Sequence, residues 1–428
     1  MVGELAPEIC KSKPGDISCV RLPSLKTVIQ IGGETNDGYF DFEQISGLDS
    51  NRGRERLESL SDELQFDDPI NIQFTSGTTG FPKGATLTHF NVLNNGYFTG
   101  EGLKFTSSDK LCVPVPLYHC FGMVLSNVAA LTHGAALVYP AEAFDPLTVL
   151  ETVEAERCTA LHGVPTMFIA ELGHPNFKEF NLSSLRTGIM AGSPCPIEVM
   201  RRVVDEMHCK EMIIAYGMTE TSPIITLTET DDPIEKQVTT VGRISPHVEV
   251  KIIDDNGRIV APGTTGELLS RGYNVMQGYW DDPKLTAESI DVAGWMHTGD
   301  LATMDEEGFC NIVGRVKDMV IRGGENIYPR EIEEYLYRFE KISDVQVFGV
   351  PDKKFVEELS AWIILKPGET ATEDDIREFC DGQIAHYKIP RYIRFVDGFP
   401  MTITGKVQKF AMRDTMIEEL GIDKIATA

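Results

Sequence analysis

A stretch rich in glycine, hydroxyl side chains and one lysine occupies residues 74–84. It reads Phe-Thr-Ser-Gly-Thr-Thr-Gly-Phe-Pro-Lys-Gly and follows an apolar run at Ile70, Ile72 and Phe74. Glycine lets backbone N–H groups approach an anion closely, Ser and Thr add hydrogen-bond donors, and lysine adds a positive charge. The composition predicts a phosphate-binding loop. Because Pro82 replaces the second glycine of the P-loop pattern, the alternative interpretation is a Gly-rich hairpin or surface loop.

The elements that must position this loop alternate between strands and helices from Ile70 onward. Short β-rich runs predict strands at Leu111–Val115, Ala135–Tyr139, Thr159–His162, Thr187–Ala191 and Met212–Ala215. Helices are predicted between them, one opening at Asp145 with a proline in its first turn and one over Pro196–Met207. The alternation predicts an α/β fold with a doubly wound, mostly parallel sheet.

Two further loops follow strands of this predicted sheet. They read Met-Ala-Gly-Ser-Pro at residues 190–194 and Ala-Tyr-Gly-Met-Thr-Glu at residues 215–220. Ligands of doubly wound sheets bind beyond the carboxyl ends of the strands. Since the Gly-rich stretch is also expected there, the sequence predicts a nucleotide site at this edge.

The pattern differs before and after this region. Residues 1–68 show one strand-like run, Thr27–Ile31, and a charged segment, Asn51–Asp68, that predicts surface helix or loop. From Val241 to about Gly314 a small antiparallel β subdomain is predicted, with strands at Val248–Asp254, Arg258–Val260 and Gly266–Arg271. Beyond Lys317 an α+β unit is predicted, with strands at Met319–Ile321, Val345–Val350, Leu359–Leu365 and Tyr392–Val396, and with helices at Arg330–Glu340, Thr372–Ile384 and from about Val407. We therefore expect two domains, residues 1–316 and 317–428.

Composition narrows the class of partner and compartment. The formal net charge of −26 argues against nucleic acid and anionic membranes as partners. The nine cysteines are scattered without a C-x-x-C pair, which favours an intracellular, reducing compartment over a disulfide framework or a zinc site. No secretory signal is visible at the start. The apolar stretch Met123–Pro140 predicts a helix ending at Gly134 and then a strand, and no membrane span.

Six motifs carry a resemblance to a known family. They read Thr-Ser-Gly-Thr-Thr-Gly-Phe-Pro-Lys-Gly (75–84), Tyr-Gly-Met-Thr-Glu (216–220), Trp-Met-His-Thr-Gly-Asp (295–300), Gly-Arg-Val-Lys-Asp (314–318), Arg-Gly-Gly-Glu-Asn-Ile-Tyr-Pro (322–329) and Thr-Gly-Lys-Val-Gln-Lys (404–409). Residues from about 20 to 420 resemble the adenylate-forming superfamily (AMP-dependent synthetases and ligases), specifically its acyl-CoA synthetases. Tyr118–Gly122 and Arg271–Trp280 are most similar to the medium-chain fatty acid branch.

The resemblance implies an acid–thiol ligase of the AMP-forming type. A carboxylic acid, expected to be a medium-chain fatty acid, attacks the α-phosphate of ATP, giving an acyl-adenylate and pyrophosphate. The thiol of coenzyme A then displaces AMP and forms acyl-CoA. ATP, Mg²⁺ and coenzyme A as co-substrate are the expected small molecules, and a mobile C-terminal domain that rotates about Lys317 is the expected device for serving both steps.

The resemblance also implies the residues of each part of the site. The phosphates of ATP are assigned to Thr75, Ser76, Gly77, Thr78, Thr79, Gly80 and Lys83. The rest of the nucleotide is assigned to Gly192, Ser193, Tyr216 and Gly217 near the adenine, Asp300 at the ribose hydroxyls, Arg315 at ribose and phosphate, and Thr219 near the α-phosphate. Glu220 is assigned to Mg²⁺, and Lys406 to the α-phosphate and carboxylate oxygens during adenylation only. The acyl pocket is assigned to His119, Val164 and Met190, the CoA channel to Gly323 and Gly324, and the implied catalytic set is Lys83, Thr219, Glu220, Arg315 and Lys406.

Plain structural roles are the alternatives to these assignments. Asp300 is compatible with a turn cap, Glu220 with a carboxylate in a first helical turn, and Lys406 with an exposed loop lysine. His119, between aromatic residues, is as compatible with core packing as with lining or gating an acyl pocket.

Other functions on the same fold remain as alternatives. An amino-acid-adenylating module needs an acidic residue to pair with the substrate ammonium, and the pocket-side stretch Leu117–Met123 has none. A ligase for aryl or other carboxylic acids stays open, and a light-producing oxygenase has no positive support. Because family members usually carry a longer portion before the Gly-rich loop, we expect an N-terminally shortened fold. A truncated, non-catalytic nucleotide-binding paralogue is therefore a further alternative. A cytoplasmic location is the default expectation, and a mitochondrial one requires a targeting segment.

Overall fold

A computed structural model of the chain describes residues 2–48, 51–75, 82–193, 195–401 and 407–421, without the side chains of residues 51 and 52. The predicted site residues Ser76, Gly77, Thr78, Thr79, Gly80 and Lys406 lie outside the described residues. The chain separates into two compact units, Met1–Asp68 and Pro69–Ala428.

The first unit contains few regular elements. They are helix α1 (Val2–Leu5), the short parallel pair β1 (Ile29–Gln30) and β2 (Phe40–Asp41), helix α2 (Asn51–Glu63), and two 3₁₀ helices, Ile9–Lys11 and Phe42–Leu48. Its core is a small cluster of Ala6, Ile9, Ile17 and Cys19. The strand expected at residues 27–31 is thus only two residues long, whereas most of the charged segment after residue 50 is helical.

The second unit begins with an antiparallel hairpin, not with a parallel strand. Strands β3 (Pro69–Thr75) and β4 (Lys83–Thr88) pair so that Thr75 lies opposite Lys83. The expectation that the run from Ile70 opens the parallel sheet is therefore wrong. The connection through residues 76–82 is too short for a parallel crossover, which needs about a dozen residues or more.

The large sheet of the second unit has seven strands. They are β5 (Lys110–Cys112), β6 (Ala136–Val138), β7 (Ala160–Gly163), β8 (Thr187–Ala191), β9 (Glu211–Gly217), β10 (Ile224–Leu227) and β11 (Arg243–Ile244). Their order across the sheet is β11-β10-β9-β8-β7-β5-β6. The five strands β5 to β9 are parallel, as predicted, and β10 and β11 extend the sheet in antiparallel fashion.

Helices cover both faces of this sheet. One face carries α3 (His89–Gly102), a π-helix (Phe121–Val128) and α4 (Ala129–His133), packed on alternate sheet residues such as Ile189 and Ile213. The other face carries α5 (Pro146–Glu156), α6 (Pro165–Leu172) and α7 (Ile197–Glu206), packed on the intervening residues such as Met190 and Met212, with α8 (Ile234–Thr239) at the margin. The predicted doubly wound α/β architecture is confirmed.

Local chemistry explains where these helices begin and end. Asp145 Oδ1 accepts the N–H of Thr148 at 2.8 Å, and Pro146 occupies the first turn, so α5 starts at the predicted cap. Gly134 ends α4 in the left-handed region, and β6 follows, as predicted for this apolar stretch. Among the described residues, none of the helices has the length and apolar character needed to cross a bilayer.

A four-stranded antiparallel sheet follows. The elements are β12 (Val248–Ile253), β13 (Gly266–Gly272), β14 (Gly278–Tyr279), α9 (Pro283–Ser289), β15 (Met296–Met304) and β16 (Cys310–Arg315). The sheet order is β12-β13-β15-β16. Strand β14 does not belong to this sheet and instead pairs with β4, with Tyr279 opposite Ala85. The predicted hairpin into Arg258–Val260 is present but reduced to one isolated bridge, between Ile253 and Ile259, flanked by the backbone bonds Asp254 N–H to the Arg258 carbonyl and Val260 N–H to the Ile252 carbonyl.

The C-terminal part has an α+β sheet of its own. It contains β17 (Val320–Arg322), β18 (Glu325–Ile327), α10 (Pro329–Leu336), β19 (Ile342–Asp352), β20 (Val356–Leu365), α11 (Glu373–Cys380), β21 (Tyr392–Phe395) and α12 (Lys409–Leu420). Helices α10 and α11 both end four residues before the predicted bound, α11 because Asp381 adopts an extended backbone.

None of the hydrophobic clusters formed by the described residues contains side chains from both sides of Lys317. The two-domain division at this residue stays a prediction.

Candidate active site

The carboxyl ends of β8 and β9 lie side by side. Ala191 is opposite Ala215 in the parallel register, so Gly192 and Tyr216 are the next residues on neighbouring strands. Gly217 has no room for a side chain, because a Cβ there would lie 1.8 Å from the carbonyl oxygen of Pro223. Gly192 and Ser193 are exposed. The predicted adenine residues thus gather at the edge where α/β sheets bind ligands.

Tyr216, Asp300 and Arg315 form a connected group beside this edge. The Tyr216 hydroxyl donates to Asp300 Oδ2 at 2.7 Å, and Arg315 Nε lies 3.2 Å from Asp300 Oδ1. Asp300 and Arg315 are directly opposite on β15 and β16. Each carboxylate oxygen keeps a second lone pair, so Asp300 can still accept hydrogen bonds from a diol.

A bulge in β15, where the pairing between β13 and β15 is irregular, places Asp300 beside Tyr216. Glu267 pairs with Leu301 and Leu269 with His297, which leaves residues 298–300 opposite a single residue. The Glu267 carboxylate accepts the N–H of Gly299 at 3.1 Å and lies 3.0 Å from His297 Nδ1. Bulges of this kind re-aim a side chain next to binding sites. Residues 298–300 of the motif thus form the bulge, and Glu267 on the neighbouring strand supports it.

Burial shifts the proton affinities of this group. It raises the pKa of the Asp300 carboxyl above its ordinary value, against the opposing effect of the Arg315 charge. Burial also raises the pKa of the Tyr216 hydroxyl, and the Asp300 charge adds to that effect. The tyrosine therefore stays a hydrogen-bond donor over the ordinary pH range.

Glu220, Tyr279 and Lys83 form a second group at the end of β9. The Tyr279 hydroxyl donates to Glu220 Oε1 at 2.7 Å, and Lys83 Nζ lies 5.4 Å from the centre of the Tyr279 ring. The Glu220 backbone is fixed as well, because its carbonyl accepts the N–H of Met276 at 2.9 Å. Glu220 and Thr219 are both buried in a short 3₁₀ turn. Thr75, opposite Lys83, completes the described flank of the Gly-rich loop.

The chemistry around Glu220 fits a magnesium ion shared with phosphates. Among the described residues, no lysine, arginine or histidine lies within 4 Å of the Glu220 carboxylate to neutralise it. Described residues also offer no cluster of three His, Cys, Asp or Glu side chains that could hold a metal alone. Mg²⁺ characteristically takes one or two protein carboxylates and completes its coordination with substrate phosphate and water.

His119 precedes the π-helix by two residues. Its Nδ1 accepts the N–H of Phe121 at 3.1 Å, so its neutral form carries the proton on Nε2. Met123 N–H bonds to the His119 carbonyl at 2.9 Å. This position agrees with a structural role, and lining or gating of an acyl pocket by His119 stays a prediction.

The two other predicted acyl-pocket residues lie on opposite faces of the sheet. Val164 packs against the cluster that contains the π-helix, and a Cβ on Gly192 would lie 3.1 Å from it. Met190 is fully buried in the cluster on the other face, with Met200 and Met212. The structure thus places Val164 close to Gly192, a predicted adenine residue. Met190 lies on the opposite face of the sheet.

Gly323 and Gly324 form the turn between β17 and β18. Both have positive φ, 62° and 91°, so the turn itself requires glycine. Lys317 is exposed in a short 3₁₀ turn after β16. The CoA channel and the hinge stay predictions.

Sequence reasoning missed two partners of the predicted site residues, Tyr279 beside Glu220 and Glu267 beside Gly299. Tyr279 lies in the segment Arg271–Trp280 that carried part of the resemblance, but its partner Glu220 is 59 positions away, so no spacing rule pairs them.

His162, a buried residue behind the π-helix, was also not predicted. It is fully buried, its Nδ1 lies 3.0 Å from Ser126 Oγ, and Ser126 donates to the Phe121 carbonyl of the π-helix.

We expect His162 to make the fold sensitive to acid. Burial lowers its pKa to about 3 from an unperturbed 6.5, so the unfolded chain binds more protons between these values and stability falls as pH falls through that window. Between pH 7 and pH 4.5 the loss attributable to this residue is about 2–3 kcal/mol. Urea unfolding at both pH values should show a smaller loss for His162→Asn than for the parent, while His386→Asn, at an exposed histidine, should match the parent. Equal losses in parent and His162→Asn would contradict the assignment.

Comparison with known proteins agrees with this geometry. Residues 17–280 match the family model described as AMP-binding enzyme, and residues 331–406 match the one described as AMP-binding enzyme C-terminal domain. YngI of Bacillus subtilis (strain 168), named as an acyl-CoA synthetase, is 52% identical over 98% of this chain and 76% of its own length. The mitochondrial medium-chain acyl-CoA ligase ACSF2 of Danio rerio is 47% identical over 99% of this chain and 70% of its own length.

A solved structure adds the fold. The ATP-bound crystal structure of MatB from Rhodopseudomonas palustris is 33% identical and matches with a TM-score of 0.78 over 83% of this chain and 70% of MatB. The apo crystal structure of the same protein covers the same shares with a TM-score of 0.66. The chain therefore belongs to the AMP-binding enzyme family, the adenylate-forming superfamily that includes the acyl-CoA synthetases.

Proposed function

We propose that the chain couples a medium-chain fatty acid to coenzyme A through an acyl-adenylate. The predicted enzyme class, an ATP-dependent, AMP-forming acid–CoA ligase, is confirmed by the family models and by the two acyl-CoA-forming relatives. The chain length of the acid rests on the name of the Danio rerio relative and on the resemblance of Tyr118–Gly122 to that branch.

The observation that carries the proposal is the convergence of two groups on one strand end. Tyr216, which holds Asp300, and Glu220, which holds Tyr279, are four residues apart at the carboxyl end of β9. Their spacing suits one nucleotide that spans both groups. On this proposal Asp300 accepts the ribose hydroxyls, Arg315 supports the ribose and phosphate, and Lys83 with Thr75 faces the outer phosphates.

Each side chain has a defined task in the adenylation step. Attack of a carboxylate on the α-phosphate brings two negatively charged groups together, so fixed donors and charges must stabilise them. Lys83, Arg315 and Lys406 supply positive charge, and Thr219 supplies a hydroxyl near the α-phosphate. Mg²⁺, held by Glu220, would supply charge neutralisation at the phosphates. The whole-molecule charge of −26 repels ATP, which makes these local charges necessary.

A rotating C-terminal domain completes the proposal. Lys317 lies between hydrophobic clusters that do not merge, which supports a hinge there. The ATP-bound and apo structures of MatB match this chain with TM-scores of 0.78 and 0.66 over the same shares of both chains, which supports more than one arrangement within the family. Lys406 would face the nucleotide in one arrangement and give way to the thiol of coenzyme A in the other.

The test is a screen of acids in two assays. Acetate, octanoate, palmitate and benzoate are supplied with ATP and Mg²⁺, first in ATP–pyrophosphate exchange and then with coenzyme A for thioester formation. We expect octanoate to give the highest kcat/KM in both assays. A preference for benzoate would identify an aryl acid ligase, and exchange with none of the acids would identify a non-catalytic nucleotide-binding protein.

The compartment is also part of the proposal. We place the protein inside the cell because its nine cysteines show no paired spacing and all nine thiols are free. The name of the Danio rerio relative assigns that relative to mitochondria. Fractionation of the native host with an antibody to the chain distinguishes a cytoplasmic from a mitochondrial location.

A further inference from the structure

We propose that Tyr279 is a positioning residue that orients the Glu220 carboxylate toward the magnesium ion of bound ATP. The inference rests on the proposed function, since it takes Glu220 as the magnesium ligand. The resemblance assigns no role to Tyr279. Its two contacts, with Glu220 and with Lys83, nevertheless place it between a predicted metal ligand and a predicted phosphate ligand.

The backbone of Tyr279 is held on both sides. Its strand β14 pairs with β4 through Ala85, and the N–H of the next residue, Trp280, donates to the Gly84 carbonyl at 2.7 Å. The Tyr279 N–H donates to Thr286 Oγ1 at 2.9 Å. Only 8% of the residue is exposed. A ring fixed in this way offers its hydroxyl at one defined point, so the hydroxyl can select one orientation of the partner carboxylate.

The hydrogen bond from the Tyr279 hydroxyl makes the two oxygens of the Glu220 carboxylate different from each other. Oε1 of Glu220 accepts the Tyr279 hydroxyl at 2.7 Å, whereas Oε2 keeps both of its lone pairs for a cation. No other described side chain makes a hydrogen bond or ion pair with this carboxylate. Without the hydroxyl, rotation of the carboxylate is restrained only by packing. Partners of this kind orient metal ligands, and their loss typically lowers metal affinity about 10- to 100-fold.

Lys83 links the same ring to the phosphate side. Its Nζ lies 5.4 Å from the ring centre, within the range of a cation–π contact. Replacement of Tyr279 by phenylalanine preserves this contact and the packing, and removes only the hydroxyl. The variant therefore isolates the bond to Glu220 from the contact with Lys83.

The chain offers a matched control at Tyr273. The Tyr273 hydroxyl is buried and has no hydrogen-bond partner among the described residues, although its ring packs against Phe90 and Phe98. Tyr273→Phe thus deletes the same atom, also a buried hydroxyl, from a tyrosine six positions away. It should leave magnesium dependence, ATP affinity and turnover unchanged.

The experiment measures magnesium dependence in binding and in turnover. ATP affinity is determined by calorimetry at a series of Mg²⁺ concentrations, and octanoate-dependent pyrophosphate exchange is followed over the same series. We expect Tyr279→Phe to raise the Mg²⁺ concentration for half-maximal response about 10- to 100-fold in both readouts, with the KM for octanoate unchanged. In Glu220→Gln background the same change should have no further effect on the magnesium response.

Three outcomes would overturn the inference. The first is a Tyr279→Phe variant that needs the same Mg²⁺ concentration for half-maximal response as the parent. The second is a Tyr273→Phe variant whose Mg²⁺ requirement rises as much as that of Tyr279→Phe. The third is an effect of Tyr279→Phe on the Mg²⁺ requirement that is equally large in the Glu220→Gln variant. If Tyr279→Phe does not fold, Tyr279→His, which keeps a ring and an N–H donor, must show a smaller shift than Tyr279→Leu. A parent protein without magnesium-dependent ATP binding would instead contradict the proposed function itself.

Discussion

Asp300→Asn is expected to lower kcat/KM for ATP about 100-fold, or about 3 kcal/mol. The substitution keeps the shape of the side chain but removes the charge that Arg315 faces at 3.2 Å and one of the oxygens that would accept the ribose hydroxyls. Hydrogen bonds to charged groups contribute about 1.5–3 kcal/mol each, which sets the size of the effect. Steady-state kinetics with ATP as the varied substrate measures it.

A structural carboxylate provides the control for Asp300. Asp109 is also buried and paired with an arginine, Arg186, at 2.9 Å, but it lies at the opposite ends of the strands, beside Thr159 and before β5. Asp109→Asn should lower the melting temperature and leave the KM for ATP unchanged. If Asp300→Asn behaved in the same way, the ribose assignment would be wrong.

The pKa of Asp300 adds a pH signature. Burial raises it above the ordinary aspartate value, so protonation on acidification begins at a higher pH than for an exposed aspartate. A protonated Asp300 no longer attracts Arg315 and accepts fewer hydrogen bonds. ATP affinity should therefore decline on the acid side in the parent protein, and this decline should be absent in Asp300→Asn.

Lys406→Ala is expected to lower adenylation about 10²- to 10³-fold or more while thioester formation from a supplied acyl-adenylate survives. The physical reason is that a positive charge near the α-phosphate is needed only while the carboxylate attacks. Residues 402–406 lie outside the described part of the chain, but their flanks are fixed. Met401 and Val407 form a β-bridge, and Lys409 Nζ bonds Glu333 Oε1 at 2.6 Å.

The two half-reactions must be measured separately for this variant. Pyrophosphate exchange reports adenylation, and CoA-dependent consumption of synthetic octanoyl-adenylate reports the second step. Lys366→Ala, at an exposed lysine of the same C-terminal part, should leave both unchanged. Equal loss of both half-reactions in Lys406→Ala would contradict the rotating-domain assignment.

The sequence predicts the parallel core well because its signals are local. Strands β5 to β9 show as short apolar runs, and helix α5 shows through its Asp145 cap. The π-helix at Phe121–Val128 escapes prediction because its apolar spacing resembles that of an α-helix. The apolar run of β3 predicts a strand but does not reveal that its partner is β4 in a hairpin, because an apolar run carries no information on which strand it pairs with.

In the candidate site, too, residues within motifs are predictable from the sequence, whereas contacts between distant positions are not. Motifs identify Asp300, Glu220 and Lys83, whose residue types and neighbours are read directly. They do not reveal that Tyr216 and Tyr279 hold two of these residues, because each bond joins positions 84 or 59 residues apart. Nor does spacing show that Met190 faces away from Val164, which depends on the register of β8 against its neighbours.

The ion pair between Asp300 and Arg315 stands at a junction of the chain. Arg315 ends β16, and the proposed pivot Lys317 follows two residues later. On the proposed function, the arginine paired with the ribose-binding Asp300 thus lies two positions from the residue about which we propose the C-terminal part to rotate. On the same proposal, the departure of AMP would remove the ligand beside this residue before the C-terminal part rotates back. Release of the nucleotide and return of the C-terminal part would then be coupled through two residues of backbone.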